Sequence, residues 1–263
     1  MKEGFMTEVV LPPVETTRRF RFDWVLGVLF RPRRTLAQIM TQTTGVWLLP
    51  LLILTLTALL QVAAAGPVKQ AAAVSGQTVP PMFEYYTPEQ QAQMLQALEA
   101  TSGPVFIYVF PALVSVSAIW IGWLAVSGLM HLILTLLGGR GDTGSALNLV
   151  AWASLPLAIR DLVRAGSLVF GKRLIENPGL SGFAPTGDSD LALFLIALLG
   201  LVDIYVIWQG ILLVIGARSG NGISIAKALS AVLITLLLVL LFQALVGFGI
   251  AKLSSLTIIR PFF

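Results

Sequence analysis

The chain has no cysteine and a single histidine, His131, and only 11% of its 263 residues are charged. Without cysteine there is no disulfide, no thiolate nucleophile and no cysteine-ligated metal, and nothing follows about redox compartment. One histidine cannot build a two- or three-histidine metal centre, and the carboxylates are scattered, so neither a metal site nor a cofactor is expected. A P-loop lysine motif and a zincin motif are also missing. Soluble domains carry about 25% charged residues. Here 56% of residues are hydrophobic and the mean hydropathy is +0.87, with several apolar runs near the ~20 residues that span hydrocarbon. These features define a polytopic membrane protein of the all-α class. The net charge of +4 points to a membrane surface rather than nucleic acid, because the arginines cluster beside an aromatic amphipathic stretch. No cleavable leader is expected, since residues 1–17 are polar and precede no short apolar segment.

Two strings could suggest hydrolysis. Ser127 and His131 lie i, i+4 on one helical face, but a Ser–His dyad also needs an oxyanion hole, and nothing nearby supplies one. Gly139-Arg140-Gly141-Asp142 fits the string of intramembrane aspartyl proteases, which need two embedded carboxylates close enough to share a proton. Asp142 sits in a glycine-rich turn, far along the chain from Asp203, so a turn is the better reading. The expected protein is not an enzyme.

Along the chain, residues 1–17 read as a flexible tail and residues 18–44 as an amphipathic helical arm broken at Pro32. Phe22, Trp24, Val25, Val28 and Leu29 can share one face, flanked by Arg18, Arg19, Arg21, Arg31, Arg33 and Arg34. That pattern suits an interfacial helix touching anionic headgroups; a cytoplasmic element packed on the bundle is the alternative. The membrane domain, 45–253, divides into five spans at about 45–65, 105–137, 146–170, 191–215 and 225–253, followed by a short tail, 254–263. An outer loop, 66–103, carries a short helix announced by the capping box Thr87-Pro88-Glu89-Gln90. Seven Lys and Arg precede the first span and only Lys69 follows it before the second. The N-terminus is therefore expected on the cytoplasmic side and, after five spans, the C-terminus outside.

Charges inside the spans pose the main question. Asp203 falls at the middle of the fourth apolar run, where an unpartnered charge costs a few kcal/mol or more. The third run contains Arg160, Asp161 and Arg164. If the two helices are neighbours, Arg160 reaches nearly the depth of Asp203, and Arg164 can pair Asp161 at i, i+3. A guanidinium suits the task because its fork holds a carboxylate bidentately. The pair is expected either to lock the helices or to form a polar site for an ion, substrate or partner helix; a third span ending near Ile159 would instead leave these charges in an outer vestibule.

The string Asp203-Ile204-Tyr205-Val206-Ile207-Trp208, then Leu212 to Gly216, Gly222-Ile223-Ser224 and Lys227-Ala228, resembles the bacterial branch of the YIP family, the Ypt/Rab-interacting-protein-like five-span membrane proteins. Phe30-Arg31-Pro32, Thr35-Leu36, the glycine turn at 138–145 and Ser154-Leu155-Pro156 fit as well. The resemblance implies a non-enzymatic five-helix scaffold or accessory protein of the inner membrane. It implies binding to another integral membrane protein, in some bacterial relatives an ABC-type exporter, and leaves self-association open. The arginine-rich arm and the turn containing Gly216, Arg218, Gly222 and Lys227 would be its cytoplasmic docking surface. The 38-residue outer loop departs from the family pattern. A small transporter or channel built on Asp203, Arg160 and Arg164 is the competing class.

Overall fold

The structure is a computed structural model that describes residues 21–74, 83–172, 175, 177–185, 187 and 189–259. Those residues form ten α-helices, three short helical turns and no strand. Four helices, or adjacent helix pairs, are long and apolar enough to cross a membrane: Leu48–Ala71, Val105–Leu136, Thr143–Gly171 and Ile225–Leu253. Asp190–Gly200 with Ile204–Asn221, bent by 61°, passes the same test only as a pair and makes a fifth crossing if the two are one broken span rather than a re-entrant loop; it is named the fourth span for its place in the chain.

The arm folds as α1 (Phe22–Phe30) and α2 (Pro32–Met40), with Pro32 at the start of the second helix, where its missing N–H does no harm. It packs on the bundle, as the alternative reading held. Trp24 sits edge-on to Trp152 with ring centroids 5.6 Å apart, and Val28, Leu36 and Ile39 are wholly buried. Phe22, Leu26 and Phe30, spaced four apart, face outward.

The first crossing, α3 (Leu48–Val74), continues through Pro67 beyond the predicted boundary at residue 65. In the outer loop α4 (Pro88–Thr101) begins on the predicted capping box, with both reciprocal bonds between Thr87 and Gln90 made. The second crossing opens with a π-helical turn, Val105–Val109, and resets at Pro111 into α5 (Phe110–Leu136). The third is two helices, α6 (Thr143–Ala153) and α7 (Leu155–Gly171), hinged at Ser154 just before Pro156. The fourth is α8 (Asp190–Gly200) and α9 (Ile204–Asn221); the fifth, α10, is Ile225–Ile259.

The pair α6–α7 is central: 67% of its most apolar stretch is buried, against 6% for that of the second crossing, where α5 buries only its later turns, from Trp123 to Leu134. Asn148, an odd residue for an apolar run, pins the start of α3. Its Oδ1 accepts from Val46 N at 2.9 Å and its Nδ2 donates to Thr44 O at 3.1 Å. Trp152 Nε1 donates to Val46 O at 3.0 Å, so this buried indole is polar-satisfied as well as packed. Gly216 lets α9 approach α6: a Cβ there would lie 2.1 Å from Leu149 Cδ1. Close approach through small residues is how helices associate where hydrophobicity alone gives no drive.

Candidate functional site at the broken fourth span

Asp203 does not lie in mid-helix, as the apolar run suggested. Residues 201–203 leave the helix and Asp203 is the N-cap of α9, its backbone extended at φ −138° and ψ 175°. Its Oδ1 accepts from Tyr205 N and Val206 N, both at 3.0 Å. A short carboxylate competes well for the free backbone donors at a helix start, which is why Asp is favoured at the N-cap. The spacing of Gly200 and Asp203 carried this signal: a C-terminal glycine followed by a capping carboxylate. The hydropathy of the run masked it.

An open break inside lipid would strand backbone groups at several kcal/mol each. The connection after α7 closes it. Leu180 N lies 2.9 Å from Leu199 O and 3.0 Å from Val202 O, so it donates to the end of α8. Gly179 holds φ +59°, and a Cβ on it would stand 2.6 Å from Val202 O and 2.8 Å from Gly200 O. Only glycine allows this segment to lie so close against the carbonyls. Asn177-Pro178-Gly179, which reads as an ordinary turn, is thus a plug in the broken span.

Asp203 Oδ2 faces α7. Arg164 Nη2 donates to it at 3.3 Å, and Arg160 Nη1 stands 3.8 Å away. Arg160 Nε reaches Asp161 Oδ1 at 3.4 Å. Of the two predicted pairings, Arg160 with Asp203 is present as an ion pair at 3.8 Å, joined by a closer hydrogen bond from Arg164, whereas Asp161 takes its neighbour Arg160 rather than Arg164. The break places the Asp203 side chain within reach of both arginines of α7. Burial makes this arrangement matter, because an ion pair between groups held mostly out of solvent is screened little. Both carboxylates are nearly buried, whereas each arginine side chain keeps 24% of its surface exposed. That exposure is toward an open cavity of about 330 Å³, lined by Arg160, Arg164, Asp203, Tyr205 and the Asn177–Leu180 plug.

The remaining sequence candidates do not gather here. Arg31, Arg33 and Arg34 are exposed at the start of α2. Arg21 lies over the Trp24 ring at 4.3 Å. Trp24, expected at the membrane or partner surface, is 3% exposed and belongs to the core, because its ring fills the space beside Trp152. Arg18 and Arg19 lie outside the described residues. Gly216 is a packing position rather than a docking one. Arg218 is exposed, and Gly222 ends α9 in the left-handed conformation at φ +64°. Lys227 Nζ donates to Leu137 O at 2.8 Å, capping the end of α5.

Sequence reasoning passed over Asn221. It is buried, and its Oδ1 accepts from Gly141 N at 3.0 Å, tying the glycine turn to the end of α9. In the same turn Asp142 caps α6, accepting from Ser145 N at 2.8 Å. Hydrogen bonds from the Ser145 side chain and backbone hold its carboxyl below the ordinary carboxylate value. Asp142 and Asp203 are at opposite ends of α9, whose 18 residues extend ~27 Å at 1.5 Å per residue. They cannot share a proton. Ser127 Oγ is buried without a hydrogen-bond partner, so His131 does not activate it.

What these elements define is a multi-pass integral membrane protein, an all-helical bundle with one discontinuous span braced by ions and a plug. The chain belongs to the Yip1 family: the Yip1 domain model matches residues 26–247, from the middle of α1 to the last third of α10. No curated protein and no solved structure matches the chain.

Proposed function

We propose that this protein is a non-enzymatic scaffold or accessory subunit of the inner membrane, with its arm in the cytoplasm, that binds another integral membrane protein. The observation that carries the reading is the arm. Trp24, Val28, Leu36 and Ile39 are buried where α1 and α2 pack on α6, α7 and α9, while Arg31, Arg33 and Arg34 remain exposed beside the outward row Phe22, Leu26 and Phe30. A fixed apolar row next to three cations suits a partner that is itself at the membrane surface, and it suits anionic headgroups next to that partner. The family is not known for enzymes, and it supplies the partner class, with an ABC-type exporter as the specific candidate. The buried ions at the broken span support a structural role, since their strongest contacts join α7 to α9.

A photo-crosslinking residue at Arg33 in native membranes tests the proposal. The expected result is one defined adduct with a membrane protein, lost when Arg31, Arg33 and Arg34 are all changed to Gln. The competing transporter is tested by reconstituting the chain alone in liposomes. Solute uptake by the chain alone, abolished by Asp203→Asn, would replace the scaffold reading.

A further inference from the structure

We infer that the cavity beside the broken fourth span binds the phosphate of a membrane phospholipid. The inference does not rest on the scaffold reading. Each guanidinium carries five N–H donors. Among the described residues Arg164 uses one hydrogen bond, to Asp203, and Arg160 one, to Asp161. Among the described residues their other donors make no hydrogen bond to the protein, although Arg160 Nη1 also stands 3.8 Å from Asp203 Oδ2. The nitrogens without a partner are not buried; they belong to side chains lining the cavity, where an acceptor-rich ligand can meet them.

Donor geometry selects the ligand. Arg160, Arg164 and Asp203 line the cavity, and Asp161 lies behind them, 3.4 Å from Arg160. The two carboxylates balance the two guanidinium groups in charge, but Asp203 Oδ1 is taken by two backbone N–H groups at the start of α9. The wall therefore presents more donors than acceptors, in two planar forks that match the oxygens of a phosphate.

Shape and depth select a lipid over a soluble phosphate. Val163, Ile175 and Ile204 also line the cavity, and each is about half exposed or more, at 53%, 46% and 66%. That rim suits the start of acyl chains and would be wasted on a small ion. Arg164 lies seven residues before Gly171, the last residue of α7, so the site is ~10 Å inside that helix end, within a stretch long and apolar enough to cross a membrane.

The test is native mass spectrometry of the full chain in mild detergent. Phosphatidylglycerol is offered against diacylglycerol with the same acyl chains, which lacks the phosphate. The expected result is one phosphatidylglycerol retained per chain and at least tenfold less diacylglycerol. Val163→Trp fills the cavity from an exposed position and leaves every ion pair in place, so it is expected to fold and to lose retention at least tenfold. Arg140→Gln removes the same charge at the other end of the bundle and is expected to retain the lipid. Arg160→Gln with Arg164→Gln is expected to behave as Val163→Trp if it folds; Val163→Trp decides if it does not. Equal retention of the two lipids, or undiminished retention by Val163→Trp, overturns the inference. Glycerol 3-phosphate binding as tightly as the lipid would assign the cavity to a soluble phosphate and overturn the lipid assignment.

Discussion

The two ends of α9 solve one problem in opposite ways. At its start, Asp203 caps the helix with a carboxylate whose other oxygen faces two arginines, and a glycine-containing plug covers the broken backbone. At its finish, Asn221 holds the Gly141 turn with a neutral amide, and Gly222 turns the chain in the left-handed conformation. Charge is used where the backbone is interrupted beside α7; uncharged hydrogen bonding is used where a tight turn is enough. The first device is costly to disturb, because removing one member leaves its partners buried and unpaired. The second loses only its own bond.

Between the two ends lies the junction of Trp24, Trp152 and Val46, and damage there should exceed damage at either end. Trp152→Ala is expected to destabilise the protein by ~3–5 kcal/mol, the usual cost of emptying an aromatic site in a core, measured as loss of folded yield and a lower unfolding midpoint in detergent. Asp203→Ala should follow at about 3 kcal/mol, because it unpairs Arg164, removes the longer of the two ion pairs of Arg160 and uncaps two N–H donors at once. Asp203→Asn keeps the cap and removes only the charge, so it should cost less than Asp203→Ala. An Asp203→Asn variant as stable as the parent chain would assign the whole effect to capping and dissolve the contrast drawn between the ends of α9.

Gly179→Ala sharpens the same contrast from the plug. A methyl group at φ +59° against three carbonyl oxygens should cost roughly 1–3 kcal/mol; trypsin or hydrogen exchange should find residues 177–180 opening before the rest of the bundle. At the other end Asn221→Ala should cost about 1 kcal/mol, the worth of an ordinary hydrogen bond, and should leave the plug protected.

The smallest effect belongs to Asp142. Its folded carboxyl titrates below its ordinary value of 3.8, so in the unfolded chain it binds protons more readily. Its contribution is complete above the ordinary carboxylate value and is lost as the pH falls through that value and the lowered folded one. Ser145→Ala should lower the unfolding midpoint slightly at neutral pH and leave it unchanged in acid, flattening that part of the acid-unfolding curve.

Much of the architecture was legible in residue patterning. Long apolar runs gave the crossings, Thr87 to Gln90 gave the start of α4, and Pro32 gave the joint in the arm, because each is a local rule acting within a few residues. The ions were found as candidates for the same reason: a charge in an apolar run is conspicuous. Their pairing was legible only in outline. The helix break that places Asp203 within reach of both arginines depends on a plug supplied from residues more than twenty positions earlier. Trp24 misled because an aromatic on an amphipathic face reads alike whether it meets lipid or a second tryptophan. Asn221 gave no warning, since a buried amide in a glycine turn looks like any turn residue until its acceptor is placed against Gly141.

Composition and local pattern alone settled that this chain is helical and membrane-embedded, because the energy of apolar side chains in lipid and the capping of helix ends are decided by neighbours in sequence. Where the bent helix pair breaks, which guanidinium holds its carboxylate, and that the arm packs on α6, α7 and α9 were decided only by the tertiary structure. Those outcomes turn on which buried donors and acceptors meet across the bundle, and no stretch of a single helix contains both members of such a pair.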